Sequence, residues 1–251
     1  MNKILVPTDF SSISDNALDY ACQMALQMKS EIFLLNIQSL PANDDASMAI
    51  ELIKTIEESS LERLKLKEEE LLDAYKDLKI STHFSFGIPS ITIKEYLDTN
   101  TFNLVILGTR NATGVDKFLF GSVAESISKH SPCPVLIIHP ENKYRGIKHM
   151  AVPIDINYKF GESHKIVEKV VDYAETLKSE LSWFYVNTES KEYQEDIHYM
   201  LKDGKKIDIE IIEGLIPEDG ISLYCQTHTI DLLIVLKRDY SVVNLNHEEF
   251  L

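Results

Sequence analysis

The feature that most constrains this chain is a strand ending that occurs twice. Ile4-Leu5-Val6-Pro7-Thr8-Asp9 returns 146 positions later as Met150-Ala151-Val152-Pro153-Ile154-Asp155. Further along, Pro89, Tyr96 and Asn103-Leu104-Val105-Ile106 return 128 positions later as Pro217, Tyr224 and Asp231-Leu232-Leu233-Ile234. Two matches in the same order mark a duplication, so each copy must be a unit able to build its own core. With 251 residues, two modest units fit.

Within the first copy, apolar runs alternate with helical spacing. Ile4–Val6, Ile32–Leu35, Thr82–Phe86, Leu104–Leu107 and Val135–Ile138 read as strands. Between them, Ala17, Leu18, Ala21, Met24, Ala25 and Met28 recur on one helical stripe. A long helical stretch runs from about Met48 to Leu78, a short one over 90–98, and another from Ser122 to Lys129. Continuously apolar strands alternating with helices predict an α/β fold, a mainly parallel sheet flanked by helices on both faces. The linker falls at Pro140–Lys148, which sets the domains at 1–140 and 148–251.

The copies differ at their ends. The eighteen positions lost between the two offsets fall mostly in the long second helix, which shrinks to 189–203 in the second copy. Gly108 becomes Leu236, Asn111 becomes Asp239, and Gly121 and Ser122 would fall on Glu249 and Phe250, just before Leu251. The second unit therefore lacks the glycine loop, the helix after it and a regular fifth strand; Ser241–Leu245 is the one candidate substitute.

The segment Gly108 to Ser122 leaves an apolar strand and enters a helix. In an open parallel sheet, ligands bind at the carboxyl ends of the strands. Glycines there allow positive φ and close approach of backbone to ligand, and a helix start at Ser122 offers unpaired N–H groups and the positive dipole end, which suits phosphate. The net charge of −15 (25 basic against 40 acidic residues) disfavours nucleic acid and anionic membranes, but not one nucleotide held by backbone amides. Three widely spaced cysteines, Cys22, Cys133 and Cys225, suit a reducing compartment. The start of the chain does not read as a signal peptide, and no apolar run is long enough to span a bilayer. Together these predict a cytoplasmic protein.

The residues Gly108, Asn111, Gly121 and Ser122, with Val6-Pro7-Thr8-Asp9 and Ser131-Pro132-Cys133-Pro134-Val135, resemble the universal stress protein family. Nucleotide-binding members of that family carry G-x-x-G, nine residues, then G-S or G-T; here Asn111 stands at the second glycine. The likeness covers residues 1–140 well and 148–238 more weakly. It implies two Rossmann-like units of the adenine-nucleotide alpha hydrolase kind. It also implies a regulatory protein of the stress response that binds ATP or AMP, with Mg accompanying ATP, and forms a homodimer through paired fifth strands. Carried over residue by residue, Pro7, Thr8 and Asp9 would meet the adenosine end and the backbone at Ile37 the adenine. Gly108, Thr109, Asn111, Gly121, Ser122 and Val123 would line ribose and phosphates.

Plainer readings stand beside these. Ser122 and Glu125 form S-x-x-E, a capping box that starts a helix with or without a ligand. Asp9 can cap the next helix instead of touching adenosine. Arg110 and Lys117 read as solvated loop cations, and Asp155 has no partner loop. No nucleophile–base pair, metal cluster or Gly-Lys-Ser loop is visible, so no catalytic residue is expected. The stretches Pro7–Ser11 and Ile137–Pro140 lack the signatures of adenylyl transferases, ATP pyrophosphatases and phosphorelay receivers. A nucleotide-free dimeric scaffold and a slow ATP-hydrolysing enzyme are the alternatives.

Overall fold

The computed structural model describes residues 2–41, 46–109, 121–155, 164–188, 198–200 and 206–236, and divides the chain into two units, Met1–Arg145 and Gly146–Leu251. In the first unit the elements are β1 (Lys3–Thr8), α1 (Ser12–Met28), β2 (Glu31–Gln38), α2 (Ala46–Ala74), β3 (Lys79–Phe86), α3 (Pro89–Thr99), β4 (Leu104–Gly108), α4 (Ser122–His130) and β5 (Val135–Ile138). Their strands form one parallel sheet in the order β3-β2-β1-β4-β5.

The expected apolar patterns produce these elements. Ile4, Leu5 and Val6 of β1 and Val105 and Ile106 of β4 are sealed from solvent, since a central parallel strand is covered on both faces. All six apolar residues of the α1 stripe are buried, each contributing about 1–3 kcal/mol according to size. On the other face, Leu5, Leu35, Ile93, Leu97, Phe102, Val105, Ala124 and Ile127 form one cluster under α3 and α4. Helix α1 ends where Lys29 turns left-handed (φ 52) and its N–H returns to the carbonyls of Ala25 and Leu26. The long second helix stops at Ala74, short of Leu78, and it buries Leu64 and Leu71 from its expected stripe.

In the second unit, β6 (His149–Pro153), α5 (His164–Leu177), β7 (Glu180–Asn187), β8 (His198–Met200), β9 (Lys206–Glu213), α6 (Pro217–Thr227) and β10 (Leu232–Leu233) build a second sheet, β10-β6-β7-β9-β8. Trp183 and Phe184 are buried in it, as the apolar run around them predicts. One expectation fails: the helix placed over 189–203 is contradicted by β8, which pairs antiparallel with β9, Tyr199 opposite Ile207. The apolar residues Ile197, Tyr199, Met200 and Leu201 cluster at one end of that stretch instead of recurring along a stripe, and Asp203-Gly204 after them is a hairpin signal. The suggested strand at Ser241–Leu245 lies outside the described residues. Among the described residues, no helix is long and apolar enough to cross a membrane.

Candidate functional site

The first sheet reverses its winding between β1 and β4, and at such a point the loops leaving the two strands diverge and open a crevice. Pro7, Thr8 and Asp9 end or follow β1, Ile37 lies near the end of β2, Gly108 and Thr109 end or follow β4, and Gly121, Ser122 and Val123 open α4. Parallel strands bring all of these to one edge of the sheet. Asn111, Arg110 and Lys117 lie outside the described residues.

At the end of β1 the chain is held from within. The buried Asn36 donates Nδ2–H to the Thr8 carbonyl at 2.8 Å. The Thr8 hydroxyl lies 3.2 Å from that of Ser14 and accepts the Phe10 amide at 3.0 Å. Ser11, not Asp9, caps α1: its Oγ accepts the Ser14 amide at 3.3 Å. Asp9 instead accepts the Ser11 amide at 3.0 Å and stays exposed. Partial burial pushes its carboxyl up, but the hydrogen bonds from Ser11 and Ser14 outweigh this and hold it below the usual carboxylate value. An ionised acceptor therefore stands at the strand end, matched to donors such as ribose hydroxyls. Phe10 adopts φ 59, a left-handed conformation costly for a non-glycine residue, and the Arg63 guanidinium lies 4.1 Å over its ring.

β2 outruns β1 at this edge. The pairing of β1 with β2 ends at Thr8 and Asn36, while β2 and β3 continue through Ile37–Ser85 to Gln38–Phe86. The backbone of Ile37 and Gln38 thus passes beyond its β1 neighbour and forms a ledge where a planar base can meet main-chain groups.

The two glycines behave differently. Gly108 has no positive φ; among the described glycines only Gly87 and Gly146 do. A Cβ on Gly108 would lie 2.8 Å from both the carbonyl oxygen and Cγ2 of Ile13, so the close packing of α1 on β4, and not the expected positive φ, requires glycine there. At Gly121 a Cβ would meet no atom of the described residues within 4 Å. The capping box is also corrected. Gly121 is the N-cap, with φ −59 and ψ 151, no side-chain cap bonds the helix start among the described residues, and Glu125 turns instead to Lys129 at 2.7 Å. Ser122 sits one position too late to cap. The start of α4 therefore keeps amide donors that no side-chain cap takes up, behind a residue without a Cβ. The Thr109 amide is engaged by the Ile138 carbonyl at 3.0 Å. Asn36 and the Phe10–Arg63 pair had escaped the sequence reading; an Asn inside the apolar run Phe33–Ile37 was the available signal. Among the described residues, no three His, Cys, Asp or Glu side chains group as a metal site.

A family model described as the universal stress protein family matches residues 1–139. A universal stress protein of Methanocaldococcus jannaschii is 31% identical over 147 residues, covering 56% of this chain and 84% of that protein. One from Bacillus subtilis is 26% identical over 147 residues, covering 55% and 98% respectively. Among solved structures, a universal stress protein from Archaeoglobus fulgidus aligns over 93% of this chain and 86% of its own with a TM-score of 0.70, at 19% identity. That likeness is one of fold, and it extends across both units.

Proposed function

Because this chain belongs to the universal stress protein family, we propose that its first unit binds an adenine nucleotide, AMP or ATP, as a regulatory ligand without chemistry of its own. The observation that carries this reading is the bare start of α4. Gly121 leaves open space where a side chain would stand, at the end of a helix that suits an anionic group. Asp9 supplies an acceptor for ribose hydroxyls, and the Ile37–Gln38 ledge supplies main-chain groups for the base. Gly121, Ser122 and Val123 face the phosphates, Pro7 and Thr8 shape the β1 side, and Gly108 and Thr109 close the β4 side through packing. Residues 1–140 carry the site; residues 148–251 are a related unit without it. Where ATP is the ligand, Mg accompanies it.

The test is thermal stabilisation by AMP and by Mg-ATP. A ligand at a hundredfold excess over its Kd stabilises the native state by about 2.7 kcal/mol. Gly121→Val should weaken binding tenfold or more while the fold survives, since its backbone angles and surroundings accept a side chain. No stabilisation of the parent by either nucleotide at millimolar concentration overturns the reading. The packing of Gly108 on Ile13 then favours the second one, a nucleotide-free scaffold whose glycine turn serves the fold alone. In either reading β5 is the edge of the sheet, open to pairing with a second copy, and the protein works in the cytoplasm as a homodimer. A monomeric mass in light scattering would count against the dimer.

A further inference from the structure

The turn that leaves β1 holds a shape that its own residues do not favour. Thr8 Oγ1 accepts the Phe10 amide and an Asp9 carboxylate oxygen accepts the Ser11 amide, both at 3.0 Å. Two side chains in succession thus each bond the amide two residues on, and Phe10 stands between them at φ 59. There its Cβ crowds the following carbonyl, and a bulky residue keeps such a conformation only where its surroundings hold it. Helix α2 supplies that hold. Along it the first buried side chains among the described residues are those of Ser60 and Leu64, which bring the helix against the unit at this level. Arg63 stands beside them, its guanidinium 4.1 Å over the Phe10 ring. One turn on, Lys67 lies 3.6 Å from an Asp15 carboxylate oxygen, and beyond it Tyr75 donates to Asp19 at 2.6 Å. Of these contacts Arg63 alone reaches the turn; the other two reach α1 past it.

We propose that Arg63 is a positioning residue of the nucleotide site. By lying over the Phe10 ring it holds the turn in the shape that presents the Asp9 carboxylate to ribose. This role rests on the nucleotide reading above, and it falls to a residue outside every motif of the site. A cation over an aromatic face is attracted by the ring quadrupole, and a planar guanidinium also stacks there. Without it the left-handed turn competes with relaxed shapes, and the apparent Kd rises as the competent fraction falls. An exposed contact of this kind is worth a factor of about two to five. The second copy points the same way. In sequence Ile156 stands where the first has Phe10, and β7 leads to β9 through β8 where the first copy has α2. The copy without the glycine loop thus has no aromatic ring at this position to hold.

The test is the affinity of the full chain for AMP and for Mg-ATP by calorimetry, with urea midpoints beside it. Arg63→Met keeps a helix-forming side chain at an exposed position and should weaken whichever nucleotide the parent binds about two- to fivefold. Arg63→Lys, which keeps a cation over the ring, should recover part of the loss. Phe10→Leu removes the ring, keeps the charge and should weaken binding to a similar degree. Arg63→Met added to Phe10→Leu should then cost nothing more, because the cation acts through the ring. Lys67→Met removes the neighbouring anchor on α1 and should lower the urea midpoint while the affinity stays that of the parent. A parental affinity in Arg63→Met overturns the proposal. So does an undiminished loss when Arg63→Met is placed on Phe10→Leu, which would mean that the guanidinium meets the ligand itself. An equal loss in Lys67→Met overturns it too, by tracing the effect to the packing of α2 on α1. A parent that binds neither nucleotide is a different result: it removes the nucleotide reading, and the role of Arg63 with it.

Discussion

The two units share a strand ending and differ in what glycine does behind it. In the second unit Gly220 and Gly214 sit so close to Val186 that a Cβ on either would lie 2.3 and 2.9 Å from its Cγ1, so both serve the packing of α6 and its entry loop on β7. In the first unit Gly108 plays the same kind of part against Ile13, whereas a Cβ on Gly121 would meet no atom of the described residues within 4 Å. The second sheet reaches β10, paired over two residues, at the place where the first continues through β4 into α4 and β5. Both α/β units thus keep the glycines that their layers need, and the proposed ligand site is marked by the glycine that the layers of its unit do not need.

The comparison breaks most visibly in the second core. Phe184 is fully buried and stacks on Tyr224 at 3.9 Å, so Phe184→Ala should cost the second unit about 3–5 kcal/mol. Nucleotide binding should be unchanged, measured by calorimetry beside urea unfolding; a parallel loss of binding would mean that the units are not separate in function. A smaller effect sharpens the contrast between the glycines. Gly108→Ala forces a methyl group against the Ile13 backbone and should lower stability by about 1–3 kcal/mol, a larger loss than Gly121→Ala produces. Equal losses would remove the distinction. The smallest effect is on acid stability. The Asp9 carboxyl is held below its ordinary 3.8, so its contribution is complete above that pH and fades as pH falls through the lower folded value. Asp9→Asn should therefore be less stable than the parent at neutral pH, with the two converging in urea midpoints as pH falls through the lowered folded value.

Much of this was legible in the residues. The stripe from Ala17 to Met28 and the runs Ile4–Val6 and Leu104–Leu107 gave the layers, because burial on one helix face or both strand faces leaves a periodic trace. The candidate site was legible as an address only, the edge where β1 and β4 part. Its wiring was not. Whether Gly108 answers to a ligand or to Ile13 depends on a contact across 95 positions, and no local pattern encodes it. The same holds for Asn36, whose amide reaches Thr8 across 28 positions. Ser122 looked like a cap because S-x-x-E is a local rule, yet the helix begins one residue earlier than that rule requires, with Gly121 as the cap. At 198–200 the expected helix gives way to β8, paired antiparallel with β9, and Asp203-Gly204 between them is the hairpin signal in the sequence.

The close approach of Gly108 to Ile13 has a consequence for how related sequences drift. A copy that gives up its ligand still needs glycine at the end of β4 for as long as the first turn of α1 lies against it, so that glycine outlasts the function. The position of Gly121 has no such tether, and once binding no longer matters it is free to accept any residue that starts a helix. The second copy, with Leu236 at the counterpart of Gly108, no longer keeps that contact, so retention of the first glycine after loss of the second is expected only where the first turn of α1 still lies against the end of β4.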